Sequence, residues 1–147
     1  MSAADPATLA AIQRVTRRCL AEIDRVCDLL GVRYVAYGGT AIGAVRHRGF
    51  IPWDDDIDVM MTRADYERFL AEAPALLDER FRLDNTRTRE DFPFMFTKMV
   101  MPGTLLIPEA DKDSKYRMPF FLDILPLDEI PDDDKAFQEM SRQSWLW

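Results

Sequence analysis

The chain has 147 residues, 48% of them hydrophobic and 31% charged, which favours one folded domain over a disordered chain. Its 19 basic and 26 acidic residues give a formal net charge of −7. An extended nucleic-acid surface is disfavoured, because it needs a surplus of Lys and Arg. The sequence has no apolar run of the roughly 20 residues that a membrane-spanning helix needs, and its start lacks the basic region of a secretory signal. A cytoplasmic protein is therefore expected.

The first predicted element is a long amphipathic helix over Ala7–Leu30, in which apolar residues recur at helical spacing. Asp5, followed by a proline, has the pattern of an N-cap, and Gly31 is the expected stop. Cys19 and Cys27 lie too far apart on this helix to form a disulfide, so we interpret both as small core residues.

Short strands and helices are predicted to follow. A buried strand is expected over Val32–Tyr37, a helix over Thr40–Val45 and a second strand over Ile57–Met61. A capping pattern at Thr62 then opens a helix that runs to about Ala73.

The second half is richer in strand signals, which fall at Arg80–Asp84, Phe94–Met101, Thr104–Ile107 and Tyr116–Ile124. The Pro102-Gly103 turn predicts a hairpin between the second and third of these strands. A helix over Lys135–Trp147 is predicted to end the sequence. The apolar end at Trp145 indicates either a single domain over residues 1–147 that is truncated at its C-terminus, or a surface on which a partner or a missing C-terminal segment docks.

The segment 54–58 carries four carboxylates in five residues, and such mutual repulsion is typical of a site that binds a cation. If Asp56 begins a strand, Asp56 and Asp58 point to the same face and can share a Mg²⁺ or Mn²⁺ ion. A solvated acidic loop is the alternative interpretation. A calcium-binding loop does not fit, because Val59 stands where that loop needs glycine.

Gly38, Gly39 and Thr40 lie between a predicted strand and a predicted helix. Glycines at such a junction let the backbone approach a phosphate, and the helix start supplies free N–H groups. A tight turn without a ligand is the alternative. Together with the acidic pair, the junction predicts phosphoryl or nucleotidyl transfer.

Further candidates come from isolated charges. Asp123 is a lone acid in an apolar strand and is the candidate third carboxylate, with an edge-strand residue facing water as the alternative. Arg46, His47 and Arg48 lie between the glycines and the acids and can clamp a diphosphate, or else form a solvated loop. Lys98, in a predicted strand, is a weaker phosphate or nucleotide candidate.

The run from Tyr37 to Val59 closely resembles the signature of the LicD family, which includes bacterial phosphorylcholine transferases and is related to the fukutin-type ribitol-phosphate transferases. Residues 63–69 and 122–128 resemble the next two blocks of that family. The resemblance implies an α/β (α+β) fold of the nucleotidyltransferase type, with a small mixed β-sheet flanked by helices.

The resemblance also implies a set of roles. Gly38 and Gly39 match the family's glycine turn, Asp56 and Asp58 its metal pair, and Asp123 the third acid. The implied reaction takes a CDP-activated alcohol, such as CDP-choline, and passes its phospho-alcohol to a hydroxyl of a glycan or lipid-linked glycan with Mg²⁺ or Mn²⁺, at the cytoplasmic side of a membrane.

Two other functions stay open from the sequence. One is a true nucleotidyltransferase that acts on a small phosphate or hydroxyl. The other is a non-catalytic or incomplete domain that acts through a partner, because family members are often longer than this chain.

Overall fold

The computed structural model describes residues 5–106 and 117–144. Within them, five strands form one open mixed sheet in the order β1-β2-β5-β4-β3. The strands are β1 (Val35–Ala36), β2 (Asp58–Thr62), β3 (Arg82–Asp84), β4 (Thr97–Met101) and β5 (Phe120–Leu127). β5 is central: it pairs parallel with β2 and antiparallel with β4, while β1 and β3 pair antiparallel at the two edges. The small mixed sheet with flanking helices confirms the predicted fold class.

Over the same described ranges the chain forms four α-helices: α1 (Pro6–Leu30), α2 (Gly38–His47), α3 (Arg63–Glu72) and α4 (Asp134–Ser144). The predicted caps are present. The Asp5 carboxylate accepts from the N–H groups at the start of α1, and Gly31 ends that helix with a φ of 63°. Thr62 accepts the Asp65 N–H at the start of α3, and a short 3₁₀ turn over Ala73–Ala75 follows, at the proline.

The main core lies between one face of the sheet and the helices α1 and α3. Strand residues such as Val59 and Ile124 meet Ile23 of α1 and Phe69 of α3 there, and all four are almost fully buried. Cys19 and Cys27 are buried in or beside this core, as predicted, and burial raises the pKa of each thiol to about 12. Because side chains alternate along a strand, the strand residues between these core positions point to the opposite face of the sheet.

Two strand predictions are wrong. The predicted hairpin at Pro102-Gly103 does not form, because β4 pairs with β5 and β3 instead, and residues 104–106 are not in a strand. The strand predicted as buried over Val32–Tyr37 is reduced to the two-residue β1, and both of its residues are exposed because it lies at the sheet edge.

The chain's C-terminal part is described as far as α4. The predicted helix is present over Asp134–Ser144, whereas the docking surface predicted at Trp145 lies outside the described residues, as do Ile107 and Tyr116. In the part of the chain that the structure describes, no helix is long and apolar enough to cross a membrane.

Candidate active site

Three charged side chains form a row across the face of the sheet that α1 and α3 leave uncovered. Asp58 on β2 is the register partner of Asp123 on β5, and Asp123 is in turn the register partner of Lys98 on β4. Residues in register on adjacent strands point to the same face, so the three side chains are neighbours. Asp123 therefore lies on the central strand rather than on an edge strand.

Asp123 is largely buried, and its carboxylate Oδ1 accepts a hydrogen bond from Lys98 Nζ at 2.6 Å. Burial raises the pKa of Asp123 to about 6, and the charge of Lys98 opposes this rise. Burial also raises the pKa of Asp58, and the nearby charge of Asp56 adds to that shift. Burial thus disfavours the ionised form of both neighbouring acids.

The acidic loop before β2 lies next to this row. One carboxylate oxygen from each of Asp54, Asp55 and Asp56 lies within 4.8 Å of the other two. Among the described residues, these three form the group of potential metal ligands at that spacing. Asp56 lies in the loop and not in a strand, since β2 begins at Asp58, so strand alternation does not set its direction. Burial raises the pKa of Asp54, and the charges of Asp56 and Asp55 raise it further.

The first turn of α2 is packed against these acids. Thr40 Oγ1 accepts the Asp58 backbone N–H at 2.9 Å, which ties the helix start to the start of β2. A Cβ atom on Gly39 would lie 2.5 Å from Asp54 Oδ2, so only glycine leaves room for that carboxylate. Gly38 has a φ of 52°, in the left-handed region that favours glycine. The predicted junction of Gly38, Gly39 and Thr40 is therefore brought to the acids.

This contact has an electrostatic consequence. The N-terminus of a helix carries a partial positive charge and unpaired N–H groups. In α2 the first intrahelical bond runs from the Ala41 N–H to the Tyr37 carbonyl, so the N–H groups before Ala41 have no partner within the helix. The helix start therefore offsets part of the acidic charge and offers donors for an anion held between it and the acids.

The remaining predicted residues are placed differently. Arg46 and His47 lie in the last turn of α2, and Arg48 is its C-cap. A helix of this length separates its ends by about 15 Å, so the backbone of Arg46 and His47 lies at the end of α2 opposite to Gly38 and Gly39. Arg48 lines a cleft that Thr40 also lines. Lys98 is almost completely buried and paired with Asp123, and it is not exposed to an incoming phosphate.

A cleft of about 320 Å³ lies between α1 and α2 and reaches the acidic loop. The residues that line it include two arginines, Arg17 and Arg48, the apolar side chains of Leu20 and Phe50, and Asp54 of the acidic loop. Arg17 was not predicted, because nothing in its sequence neighbourhood separates it from the other arginines of α1. The arrangement provides two guanidinium groups and an apolar surface next to the carboxylates.

Helix α1 also supports the acidic loop directly. Gln13 Nε2 donates to the Asp54 backbone carbonyl at 2.8 Å. Sequence reasoning missed this contact, since it joins two segments that are distant along the chain. It fixes the backbone of the loop while leaving the carboxylates available.

The residues present fit a hard divalent cation. Asp54, Asp56, Asp58 and Asp123 offer carboxylate oxygens, which Mg²⁺ and Mn²⁺ prefer and which suit zinc less well. Burial and mutual repulsion raise the pKa of Asp54 and Asp58, so a cation between these groups would stabilise the ionised forms.

Comparison with known families shows that residues 31–134 match the model described as LicD/FKTN/FKRP, nucleotidyltransferase domain. The chain is 32% identical over 136 residues to the lipopolysaccharide cholinephosphotransferase LicD of Haemophilus influenzae, a match that covers 92% of this chain and 50% of that protein. It is 38% identical over 71 residues to the ribitol 5-phosphate transferase FKRP of human and of mouse, covering 46% of this chain and 14% of each relative. The chain thus spans about half the length of the first relative, and less of the others.

Proposed function

The chain belongs to the LicD family, and on that premise we propose that it is a transferase that moves a phospho-alcohol group onto a hydroxyl of a glycan. The observation that carries this proposal is the row of Asp58 and Asp123 beside the first turn of α2. Both acids and the glycine turn lie inside the segment that the family model matches. The named relatives, a cholinephosphotransferase and a ribitol 5-phosphate transferase, support transfer of a phosphorylated alcohol.

The proposed donor is an alcohol activated as its CDP ester, and the proposed acceptor is a free or lipid-linked glycan. The acceptor oxygen forms a bond to the phosphorus that carries the alcohol, and the bond from that phosphorus to the CMP oxygen breaks. CMP leaves with the electron pair, and the hydroxyl proton passes to Asp58 or Asp123. This role needs a carboxylate near the reacting oxygen, and Asp58 and Asp123 share one face of the sheet.

A divalent cation, Mg²⁺ or Mn²⁺, would be held by Asp58 and Asp123 with Asp56 from the adjacent loop. When bound, such an ion neutralises charge on a diphosphate. The N–H groups at the start of α2, which have no partner within the helix, would bind a phosphate oxygen of the donor.

We further propose that the cleft between α1 and α2 takes the nucleotide part of the donor. Arg17 and Arg48 would face the negative charge of the departing CMP, and Phe50 would offer an apolar surface to the base. In this role Arg48 acts from the wall of a cleft that Thr40 also lines. Arg46 and His47, exposed in the last turn of α2, have no contact that assigns them a ligand.

The test is a transfer assay with CDP-choline, CDP-ribitol and CDP-glycerol as donors, with and without Mg²⁺. Metal-dependent release of CMP with one of them supports the proposal. Since the matching family model is described as a nucleotidyltransferase domain, CTP and ATP are run in the same series. Incorporation of a nucleotide, without use of any CDP-alcohol, would favour nucleotidyl transfer instead.

A further inference from the structure

The ion pair between Lys98 and Asp123 is the most buried charged contact next to the proposed site. Lys98 Nζ lies 2.6 Å from Asp123 Oδ1, and the two side chains are 3% and 12% exposed. Lys98 and Asp123 are register partners, so the pairing is set by the strands and does not depend on a mobile loop. A buried lysine and a buried carboxylate are stable only together, because each alone would be an uncompensated charge.

Aromatic rings hold the ammonium group of Lys98 in place. Its Nζ lies 3.6 Å from the ring centroid of Phe121, 4.5 Å from that of Phe94 and 5.2 Å from that of Phe96. Cations are attracted to ring faces at these distances. The ammonium thus lies among three aromatic rings and the Asp123 carboxylate, and with the side chain 3% exposed it is not open to a phosphate that enters the site.

Lys98 donates its hydrogen bond to Asp123 and not to its register partner on the other side, which has an arginine partner of its own. Asp84 on β3 is the register partner of Lys98 on the far side, and Arg82 donates to both of its carboxylate oxygens, at 2.6 and 3.0 Å. Lys98 therefore uses its hydrogen bond on Oδ1 of Asp123, and Oδ2 is the oxygen that Asp123 can offer to another ligand.

We propose that Lys98 is a positioning residue of the transfer site. By holding Oδ1, it fixes the orientation of the Asp123 carboxylate and so presents Oδ2 on the face that Asp123 shares with Asp58. Lys98 thereby acts on the divalent cation through Asp123 and does not contact the donor's phosphates. This inference rests on the proposed function, because it assumes that Asp58 and Asp123 hold the cation.

The experiment measures Mn²⁺ binding to the full chain by electron paramagnetic resonance, without donor or acceptor. Lys98→Met, which replaces the ammonium by an apolar group of similar length, is expected to weaken Mn²⁺ binding about 10- to 100-fold. In the transfer assay the same variant is expected to raise the Mg²⁺ concentration needed for half-maximal transfer about 10- to 100-fold.

Thr97→Val is the matched control. Thr97 precedes Lys98 on β4 but faces the opposite side of the sheet, where it is hydrogen-bonded to Tyr66 and Asn85. The substitution removes buried hydrogen bonds without touching Asp123. We expect it to lower thermal stability and leave Mn²⁺ affinity unchanged.

A double variant covers the case in which Lys98→Met does not fold. Lys98→Met/Asp123→Asn leaves no unpaired charge at this position, and its Mn²⁺ affinity should equal that of Asp123→Asn, since Lys98 acts only through Asp123. A further loss in the double variant would show that Lys98 acts elsewhere and would overturn the inference.

Three outcomes show whether this inference, the proposed function or both fail. Wild-type Mn²⁺ affinity in Lys98→Met, with weakened binding in Asp123→Asn, would overturn the role of Lys98 and leave the metal site standing. Wild-type affinity in Asp123→Asn would overturn both. If the expected Mn²⁺-binding pattern is found but no CDP-alcohol supports transfer, the positioning role of Lys98 is supported and the proposed donor is refuted.

Discussion

Asp58 and Asp123 are register partners on adjacent parallel strands, and the N–H of Asp58 is held by Thr40 at the start of α2. The pairing of β2 with β5 thus brings together two acids that are distant along the chain, and the Thr40 hydrogen bond adds the N-terminus of α2. The sheet supplies a rigid base for these groups, and the helix start supplies positive potential beside them.

The glycine turn should be intolerant of a side chain at one position. A Cβ on Gly39 would lie 2.5 Å from Asp54 Oδ2, so Gly39→Ala must displace either the carboxylate or the start of α2. We expect transfer to fall roughly 10- to 100-fold, since small displacements of reacting groups have effects of this size. Ala71→Ser, at an exposed position of α3 that lines no part of the proposed site, is the control. Equal activity in the two variants would contradict this packing.

Sequence reasoning succeeded where the signals are local. The periodicity of α1, its cap at Asp5 and the cap of α3 at Thr62 are decided by residues a few positions apart, and the structure shows each of them. The hairpin at Pro102-Gly103 failed because the turn residues specify a change of direction but not a pairing partner, and β5 competes successfully for β4.

The arrangement of the site could be predicted only in part. That Asp58 and Asp123 are neighbours depends on the parallel pairing of β2 with β5, for which no local signal exists. The Lys98–Asp123 pair did leave a signal, since each is an isolated charge of opposite sign in an apolar strand. That Arg48 shares a cleft with Arg17 could not be predicted, because the two residues are distant along the chain and no local signal joins them.

The arginines of the cleft are expected to act on the donor. Arg17→Ala or Arg48→Ala removes a guanidinium from the cleft wall and should raise KM for the donor about tenfold, which corresponds to about 1.4 kcal/mol. Steady-state kinetics measures this change. Arg18→Ala, at the exposed neighbour of Arg17 that does not line the cleft, should leave KM unchanged. A similar rise in all three variants would indicate a general loss of positive charge and not a site.

Glu22 should make stability depend on pH in a defined direction. Its carboxylate pairs with Arg25 and accepts the Asp78 N–H at 2.8 Å, and these contacts, that of Arg25 foremost, hold its pKa below the ordinary value of 4.5. A depressed folded-state pKa stabilises the fold above the unfolded-state value and loses that effect as the pH falls. Glu22→Gln should therefore lower the free energy of unfolding by about 1–3 kcal/mol at neutral pH, and by less under acidic conditions.

Chemical denaturation at a series of pH values measures this difference. Glu72→Gln is its control, since Glu72 pairs with Arg68 at a position where both side chains are about half exposed. Such surface pairs contribute about 0.5 kcal/mol or less. A loss in Glu22→Gln that stays constant from neutral to acidic pH would rule out the ionised Glu22 as its source.

The central claim is that Asp58 and Asp123 bind the donor's diphosphate through a divalent cation. Calorimetric titration of the chain with CDP-choline, CDP-ribitol and CDP-glycerol, with and without Mg²⁺, tests it most directly, with Asp58→Asn and Asp123→Asn alongside and the exposed Asp91→Asn as the control. The account predicts Mg²⁺-dependent binding of at least one donor, lost in the first two variants and retained in the third. Donor binding of unchanged affinity in Asp58→Asn and Asp123→Asn, or binding that does not need the metal, would contradict it.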